Sequence, residues 1–286
     1  MSCNLPVTAY YSDKVNTETG KRSLTFNQKW AYKGSDPTIP KVLAVPCGKC
    51  HGCRADQALM WSIRGYHEAS LHQQNSFITL TYDEANLPLD GKIDKRPLQK
   101  FFKEIRRDGT KIRYLACGEY GGQTRRPHYH AIIFGKDWLE NSVPIKENLY
   151  THTDLAEKWG KGLVSIAPVT MASICYVCGY VNKKIDDHDT FNLMSRRPGI
   201  GHTWLDKYSG DAIRTGVISI EGRQYQVPKR YLEWDEEAFA TLKKERAAYA
   251  RSLNKPSQSL NNFNAQRGRE INLKNKAAAK KSQGEI

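Results

Sequence analysis

The stretch Pro127-His128-Tyr129-His130-Ala131-Ile132-Ile133-Phe134-Gly135 holds the residues that most directly invite chemistry. Read as a strand, its period of two puts His128 and His130 on one face and sends Tyr129, Ala131 and Ile133 to the other. Two imidazoles at i and i+2 can chelate one metal ion, because their side chains diverge little across a single pleat. The competing reading is a strand end with two ordinary surface histidines. Glu119 weighs against it. This residue ends the preceding strand-like run, nine residues before His128, and a loop of that length folds the arms into an antiparallel hairpin. The carboxylate then comes beside the imidazoles. Two neutral imidazoles and one carboxylate leave positions open for substrate oxygen and water, and such mixed ligation suits Mg²⁺ or Mn²⁺. Arg125 and Arg126, just before the histidines, would border the site and meet phosphates.

A second group lies in Ser173–Ile185. Ile174, Val177, Val181 and Ile185 form a helical apolar stripe. At ~100° per residue, Tyr176, Tyr180, Lys183 and Lys184 fall on a separate stripe. Core tyrosines would have joined the apolar stripe; these keep company with lysines, although a solvated amphipathic face would look the same. Two phenols one turn apart, beside lysines and facing a metal, suit attack on a phosphodiester that leaves one end of a broken strand as phosphotyrosine. Free tyrosine, with a pKa near ~10, is a poor nucleophile at neutral pH. A neighbouring ammonium favours the phenolate and the charge that develops on the phosphate. Cys175 and Cys178 read as half-buried small residues rather than a metal pair.

A third group is Cys47-Gly48-Lys49-Cys50-His51-Gly52-Cys53, three thiols in seven residues with glycines where a tight turn needs them. A closed structural zinc site needs four ligands. Cys3 is the first choice for the fourth and His51 the second. Either would make the site architectural, with Cys3 tying the N-terminal arm to the body.

The elements that must position these groups can be read around them. Residues 1–46 look irregular, with short strands at Leu24–Tyr32 and Lys41–Val45. Arg54 to about Gln74 favours helix, and Phe77–Asp83 alternates as a strand. A helix with Pro97 near its start carries Leu98, Phe101, Phe102 and Ile105 on one face and ends at Gly109. Arg113–Tyr120 is the strand that pairs with the histidine strand. Then come a short helix, Asp154–Trp159, ended by Gly160-Lys161-Gly162, and a strand, Leu163–Val169. Beyond residue 185 lie a polar loop, strand-like runs at Gly216–Ile220 and Arg223–Val227, and a helix over Asp235–Leu253. Strands and helices in mixed order, with an antiparallel hairpin, give an α+β class. From about Lys255 the chain is rich in Asn, Gln and Lys with few apolar residues, a tail expected to be disordered or helical only on DNA.

At 286 residues the chain can hold one large domain with an appendage and a tail. Its net charge of +14, from 44 Lys and Arg against 30 Asp and Glu, points to a polyanion, with nucleic acid the better choice over an anionic membrane. No run reads as a membrane span, and the N-terminus lacks the apolar segment of a signal peptide, so a cytoplasmic location is expected. In that reducing compartment the seven cysteines are ligands or buried small residues rather than disulfides.

Phe77–Asp83, Pro127–Phe134 and Tyr-x-x-x-Tyr-Val-Asn-Lys at Tyr176–Lys183 closely resemble the three motifs of the HUH endonucleases that initiate rolling-circle replication. Cys3, the Cys47–Cys53 cluster with Arg54, Cys117-Gly118-Glu119-Tyr120-Gly121 and Met194-Ser195-Arg196-Arg197-Pro198-Gly199-Ile200-Gly201 further resemble the replication initiators of the gokushovirus group of microviruses, small single-stranded DNA phages. The resemblance covers roughly residues 1–235. It implies a central antiparallel sheet carrying the histidines, with the tyrosine helix packed across it. It also implies a nickase acting on the viral strand of the replicative form, held on the 5′ phosphate while the 3′ hydroxyl primes synthesis, then closing the displaced circle. By position, Glu119, His128 and His130 match the metal ligands, Tyr176 and Tyr180 the alternating nucleophiles, and Lys183 the motif lysine. Gly179 departs from relatives that keep a lysine there, which makes Tyr176 the less activated phenol, with Lys184 on the same face to serve it. Arg196 and Arg197 would contact phosphates.

The resulting expectation has four parts: an N-terminal arm, Cys-rich knuckle and helix (1–75), an HUH endonuclease core (76–190), an extension of that core (191–254) and a basic tail (255–286). No G-x-x-x-x-G-K-[ST] occurs, so strand separation would depend on a host helicase and DNA polymerase in the bacterial cytoplasm. The rival readings are a plasmid relaxase or transposase of the same chemistry, and a non-catalytic, zinc-stapled DNA-binding protein.

Overall fold

The histidine strand lies third from one edge of a seven-stranded antiparallel sheet in this computed structural model, which describes residues 3–18, 20–179, 190–253 and 259–282. In chain order the elements are β1 (Val7–Val15), β2 (Arg22–Thr25), β3 (Leu43–Val45), α1 (His51–Ala69), β4 (Asn75–Thr81), α2 (Lys95–Arg106), β5 (Arg113–Tyr120), β6 (Pro127–Phe134), β7 (Val143–Lys146), β8 (Leu149–Thr151), α3 (Thr153–Trp159), β9 (Val164–Ala167), α4 (Met171–Gly179), β10 (Phe191–Met194), α5 (His202–Thr215), β11 (Val217–Ile220), β12 (Arg223–Gln226), α6 (Lys229–Trp234), α7 (Ala240–Leu253) and α8 (Ser259–Ser282). The class is α+β. The chain divides into two units, Met1–Asp56 with Lys243–Gln283, and Gln57–Leu242.

In the second unit the sheet order is β10-β5-β6-β4-β9-β8-β7. Strand alternation sorts its side chains into two layers. Tyr129, Ala131 and Ile133 of β6, with Ile78 and Leu80 of β4, point to the back, where Leu98, Phe101, Phe102 and Ile105 of α2 and Leu155 and Trp159 of α3 cover them. Asp94 caps α2 by accepting from the Arg96 amide. Burying each of those phenylalanines contributes roughly 1.5–3 kcal/mol. On the front, Ile132 and Phe134 of β6 and Leu115 and Cys117 of β5 pack under Ile174, Val177 and Cys178 of α4. A third cluster joins Ile63 of α1 to Leu205, Tyr231 and Phe239. At Gly162 the chain passes so close to the backbone of Thr81 and Asp83 that a Cβ would collide with it, and φ is 143°.

Several sequence expectations are corrected. β1 is a nine-residue strand inside the segment read as irregular. Its burial recurs at Ala9 and Ser12, not at every second residue, because its register with β2 shifts between Tyr11 and Val15. The strand expected over Leu24–Tyr32 stops at Thr25; the Asn27 side chain accepts from the Lys29 amide at 2.9 Å and starts a 3-10 turn, Gln28–Trp30. The α1 helix ends at Ala69, where Asn75 Nδ2 takes the Ala69 and His72 carbonyls at 3.1 Å each. The polar loop after residue 185 contains β10, which pairs with β5, and is followed by α5. Residues 259–282, read from composition as a disordered tail, form α8, in which Glu270 is 3 % exposed. The run is free of proline and rich in Ala, Lys, Gln and Asn, and its one carboxylate is held by Asn4 and His51 of the same unit.

Candidate metal and tyrosine site

β5 and β6 pair with Glu119 opposite His128 and Cys117 opposite His130. On the other side of β6, β4 sets Thr79 opposite His130. Opposed residues share a face, so register alone gathers Glu119, His128, His130 and Thr79 on the front of the sheet. The Nε2 atoms of His130 and His128 lie 3.0 and 3.2 Å from the same oxygen, Glu119 Oε1. One ligand atom from each of the three falls within 4.8 Å of the others. Glu119 and His130 are buried, and His128 keeps part of its edge open.

The outer nitrogens are held as well. His130 Nδ1 meets the Thr79 hydroxyl at 2.9 Å, and His128 Nδ1 donates to the Arg126 carbonyl at 3.1 Å. A carbonyl only accepts, so the proton of His128 sits on Nδ1 and its Nε2 lone pair turns toward Glu119. Burial alone would raise the Glu119 carboxyl; hydrogen bonds and charge from His128 and His130 more than reverse this and hold it down to about 2. An ionised carboxylate and two imidazoles converging on one point fit a divalent cation, and the mixed oxygen and nitrogen set suits Mg²⁺, Mn²⁺ or Zn²⁺.

The α4 helix starts at a reciprocal cap, the Thr170 amide donating to Ser173 Oγ at 2.9 Å and the Ser173 amide to Thr170 Oγ1 at 3.1 Å. With Ile174, Val177 and Cys178 buried against the sheet, Tyr176 is turned to the metal cluster. Its hydroxyl lies 3.5 Å from His130 Nε2 and its ring stands edge-on to that imidazole at 5.0 Å. Phe77 supports both, stacked on His130 at 5.7 Å and edge-on to Tyr176 at 6.2 Å. Tyr176 remains 41 % exposed, open to a substrate. Tyr180, Lys183 and Lys184 lie outside the described residues.

Of the four arginines, Arg125 is exposed, with its guanidinium 4.6 Å over the Tyr120 ring. Arg126 is engaged by Glu84 and the Tyr82 carbonyl, so it braces the loop before the histidines. Arg196 and Arg197 are exposed in the turn after β10. Sequence reasoning missed Thr79 and Phe77 as supports. Both sit in the correctly read strand, but only the β4–β6 register shows which residue of that strand meets His130.

In the first unit the sulfurs of Cys3, Cys47, Cys50 and Cys53 lie within 4.8 Å of one another. Backbone amides point at them: Asn4 at Cys50, Cys47 at Cys3 and Cys50 at Cys47, at 3.2–3.3 Å. Burial would raise the Cys50 thiol, yet these and neighbouring donors bring it down to about 6. Four thiols with amide donors fit a structural zinc ion. His51, the second choice as fourth ligand, instead holds Glu270 through Nδ1 at 2.9 Å. That carboxylate also takes the Asn4 side-chain amide at 2.9 Å.

A family model described as replication-associated protein ORF2 matches residues 75–185, the span from β4 to just beyond Tyr180. The chain is 32 % identical over 232 residues to replication-associated protein VP4 of Bdellovibrio phage phiMH2K, covering 73 % of this chain and 74 % of that protein. It is 30 % identical over 235 residues to replication-associated protein ORF2 of Spiroplasma virus 4, covering 71 % and 72 %. Replication-associated protein ORF4 of Chlamydia phage 1 is 31 % identical over 209 residues, 65 % of this chain and 52 % of that one. No solved structure matches. Among the described residues no helix is long and apolar enough to cross a membrane.

Proposed function

This chain belongs to the replication-associated proteins of gokushovirus-type microviruses, and from that membership we propose that it starts rolling-circle replication by nicking the viral DNA strand at its origin. The observation that carries the reading is the Tyr176 hydroxyl standing 3.5 Å from Nε2 of His130, inside the cluster that joins His130 to Glu119 and His128. A divalent cation, Mg²⁺ or Mn²⁺, held by Glu119, His128 and His130 would supply Lewis-acid stabilisation of charge on the phosphodiester.

The remaining chemistry belongs to side chains. The phenol oxygen of Tyr176 bonds to phosphorus as the bond from phosphorus to the 3′ oxygen breaks. The phenol proton departs, and the 3′ oxygen gains a proton and leaves as a hydroxyl that can prime synthesis. The 5′ phosphate stays on the enzyme as phosphotyrosine. Because that linkage is still a phosphodiester, reversal needs no ATP, and Tyr180 makes the second cut that permits closure. Lys183 and Lys184 favour the phenolate. Phe77 and the buried stripe of α4 fix the phenol so that little entropy is lost on attack. Arg125, Arg196 and Arg197 take phosphates, while the four-cysteine site, as zinc, holds the N-terminal unit together. A host helicase and DNA polymerase in the bacterial cytoplasm open and copy the strand.

The test incubates the purified chain with single-stranded oligonucleotides tiled across the viral origin, with Mn²⁺. One oligonucleotide should give an adduct that survives detergent, and Tyr176→Phe/Tyr180→Phe should give none. A chain that binds these oligonucleotides but never becomes attached is a DNA-binding protein and not a nickase.

A further inference from the structure

The three-stranded sheet of the first unit, ordered β2-β1-β3, has no part in the chemistry above. Along it runs an open groove of about 700 Å³ lined by Ser12, Lys14, Leu24, Lys29, Trp30 and Lys33 among others. Trp30 is 65 % exposed, as is Phe26 at the start of the same turn. Neither is a frayed end. The Trp30 amide donates to the Asn27 carbonyl at 3.0 Å, Ala31 bridges to Ser12 of β1, and the Tyr32 amide donates to the Tyr11 carbonyl at 2.7 Å. An indole that water would rather not meet is therefore held open by ordered backbone on both sides.

The polar lining is as specific. Lys14, Lys29 and Lys33 are exposed, and none has an ion-pair partner among the described residues. One carboxylate, Asp13, stands against three ammonium groups. Ser12 lines the same groove, is only 9 % exposed, and its hydroxyl has no hydrogen-bond partner among the described residues. A buried donor without a partner costs about 1–3 kcal/mol, and a ligand oxygen in the groove would relieve that cost.

We propose that this groove is a separate binding site for single-stranded DNA. The Trp30 indole stacks on an unpaired base, Lys14, Lys29 and Lys33 meet the phosphates, and the Ser12 hydroxyl donates to an oxygen of the bound strand. Cations flanking an aromatic platform are the combination that single strands select, because every base offers a face to stack and every linkage a charge. In a duplex those faces are already stacked on each other, which favours the single strand. An acidic peptide would satisfy the lysines but leave the indole unmatched. The assignment rests on the reading of this protein as one that acts on DNA, but not on the phosphotyrosine step.

The test uses the full chain and a fluorescein-labelled oligothymidylate, which lacks an origin and so reads binding alone, followed by anisotropy across a KCl series. Trp30→Ala should weaken binding about 5- to 100-fold, the range of one lost base stack, and Trp30→Phe should keep most of it. Lys29→Ala/Lys33→Ala should flatten the slope of log affinity against log salt by about 1.4. Binding by Trp30→Ala within twofold of wild type, with the lysine variant's slope unchanged, overturns the proposal and leaves a protein partner as the occupant. The origin-adduct assay separates the two readings. Loss of binding in Trp30→Ala from a chain that forms no adduct keeps the groove and removes the nickase; adduct formation with unaltered oligothymidylate binding does the reverse.

Discussion

Thr79 and His130 face each other across β4 and β6, with the threonine hydroxyl 2.9 Å from Nδ1 of the imidazole. The contact fixes the ring's rotation, so that Nε2 points at Glu119 and Tyr176. Partners of this kind typically account for 10- to 100-fold in metal affinity. Thr79→Val keeps the shape and removes the oxygen. It should weaken Mn²⁺ binding about tenfold or more in a calorimetric titration while thermal unfolding barely moves. Unchanged Mn²⁺ affinity would show that the ring is oriented by packing on Phe77 alone.

The four-cysteine cluster makes a separate prediction. The purified chain should contain one zinc per molecule by elemental analysis, and Cys3→Ser should contain close to none, since a closed site with three thiolates holds the ion poorly. Because such binding free energy is also folding free energy, chelation should lower the melting temperature of the wild type and leave Cys3→Ser little changed. A metal-free wild type with the same melting temperature would reduce the cluster to packing.

Much of this arrangement was legible because the sheet's front and back follow from the period of two. The His128/His130 pair, Glu119 opposite and the α2 stripe of Leu98, Phe101, Phe102 and Ile105 all stand as that period and the helical one require. Cys3 as fourth sulfur was also readable, since a knuckle with three thiols needs another. What local pattern cannot carry is register and long-range pairing. Thr79 is one of several residues in its strand until β4 is set against β6, and the edge strand β10 is too short to declare itself. The bulge in β1 erased the alternation that would have announced a strand. Glu270 lies 219 residues from His51, and no local signal joins them.

Gly65 sits inside α1, where alanine would be favoured by about 1 kcal/mol on propensity alone. A Cβ there would meet Cγ2 of Ile174 at 2.8 Å and Cδ2 of Leu115 at 3.5 Å. Ile174 is buried and anchors the helix that carries Tyr176, so it has nowhere to move without shifting α4. Gly65→Ala should therefore lose stability on balance, overpacking costing about 1–3 kcal/mol. It should also slow adduct formation more than it weakens DNA binding. Faster or equal adduct formation in Gly65→Ala would mean that the placement of α4 tolerates displacement.

Glu68 supplies the pH dependence. Its carboxylate, 2 % exposed, takes the Gly201 amide at 2.8 Å, His72 Nε2 at 3.3 Å and the Arg113 guanidinium, while Arg113 also reaches the Pro198 carbonyl. Burial raises its pKa, but the hydrogen bonds from His72, Gly201 and Arg113 outweigh it, and the net shift is below the ordinary glutamate value of 4.5. The folded chain then binds this proton more weakly than the unfolded chain does. Stability from Glu68 is complete above pH 4.5 and is lost as pH falls through the lower, folded value. Glu68→Gln keeps the volume and loses the charge, leaving Arg113 beside a neutral amide. It should cost about 2–3 kcal/mol at pH 7 in urea unfolding. That gap should narrow steadily between pH 5 and pH 3, on the order of the carboxylate range, as the wild type takes up the proton and loses the same pairing. A gap of constant size across the series would assign the loss to shape rather than charge.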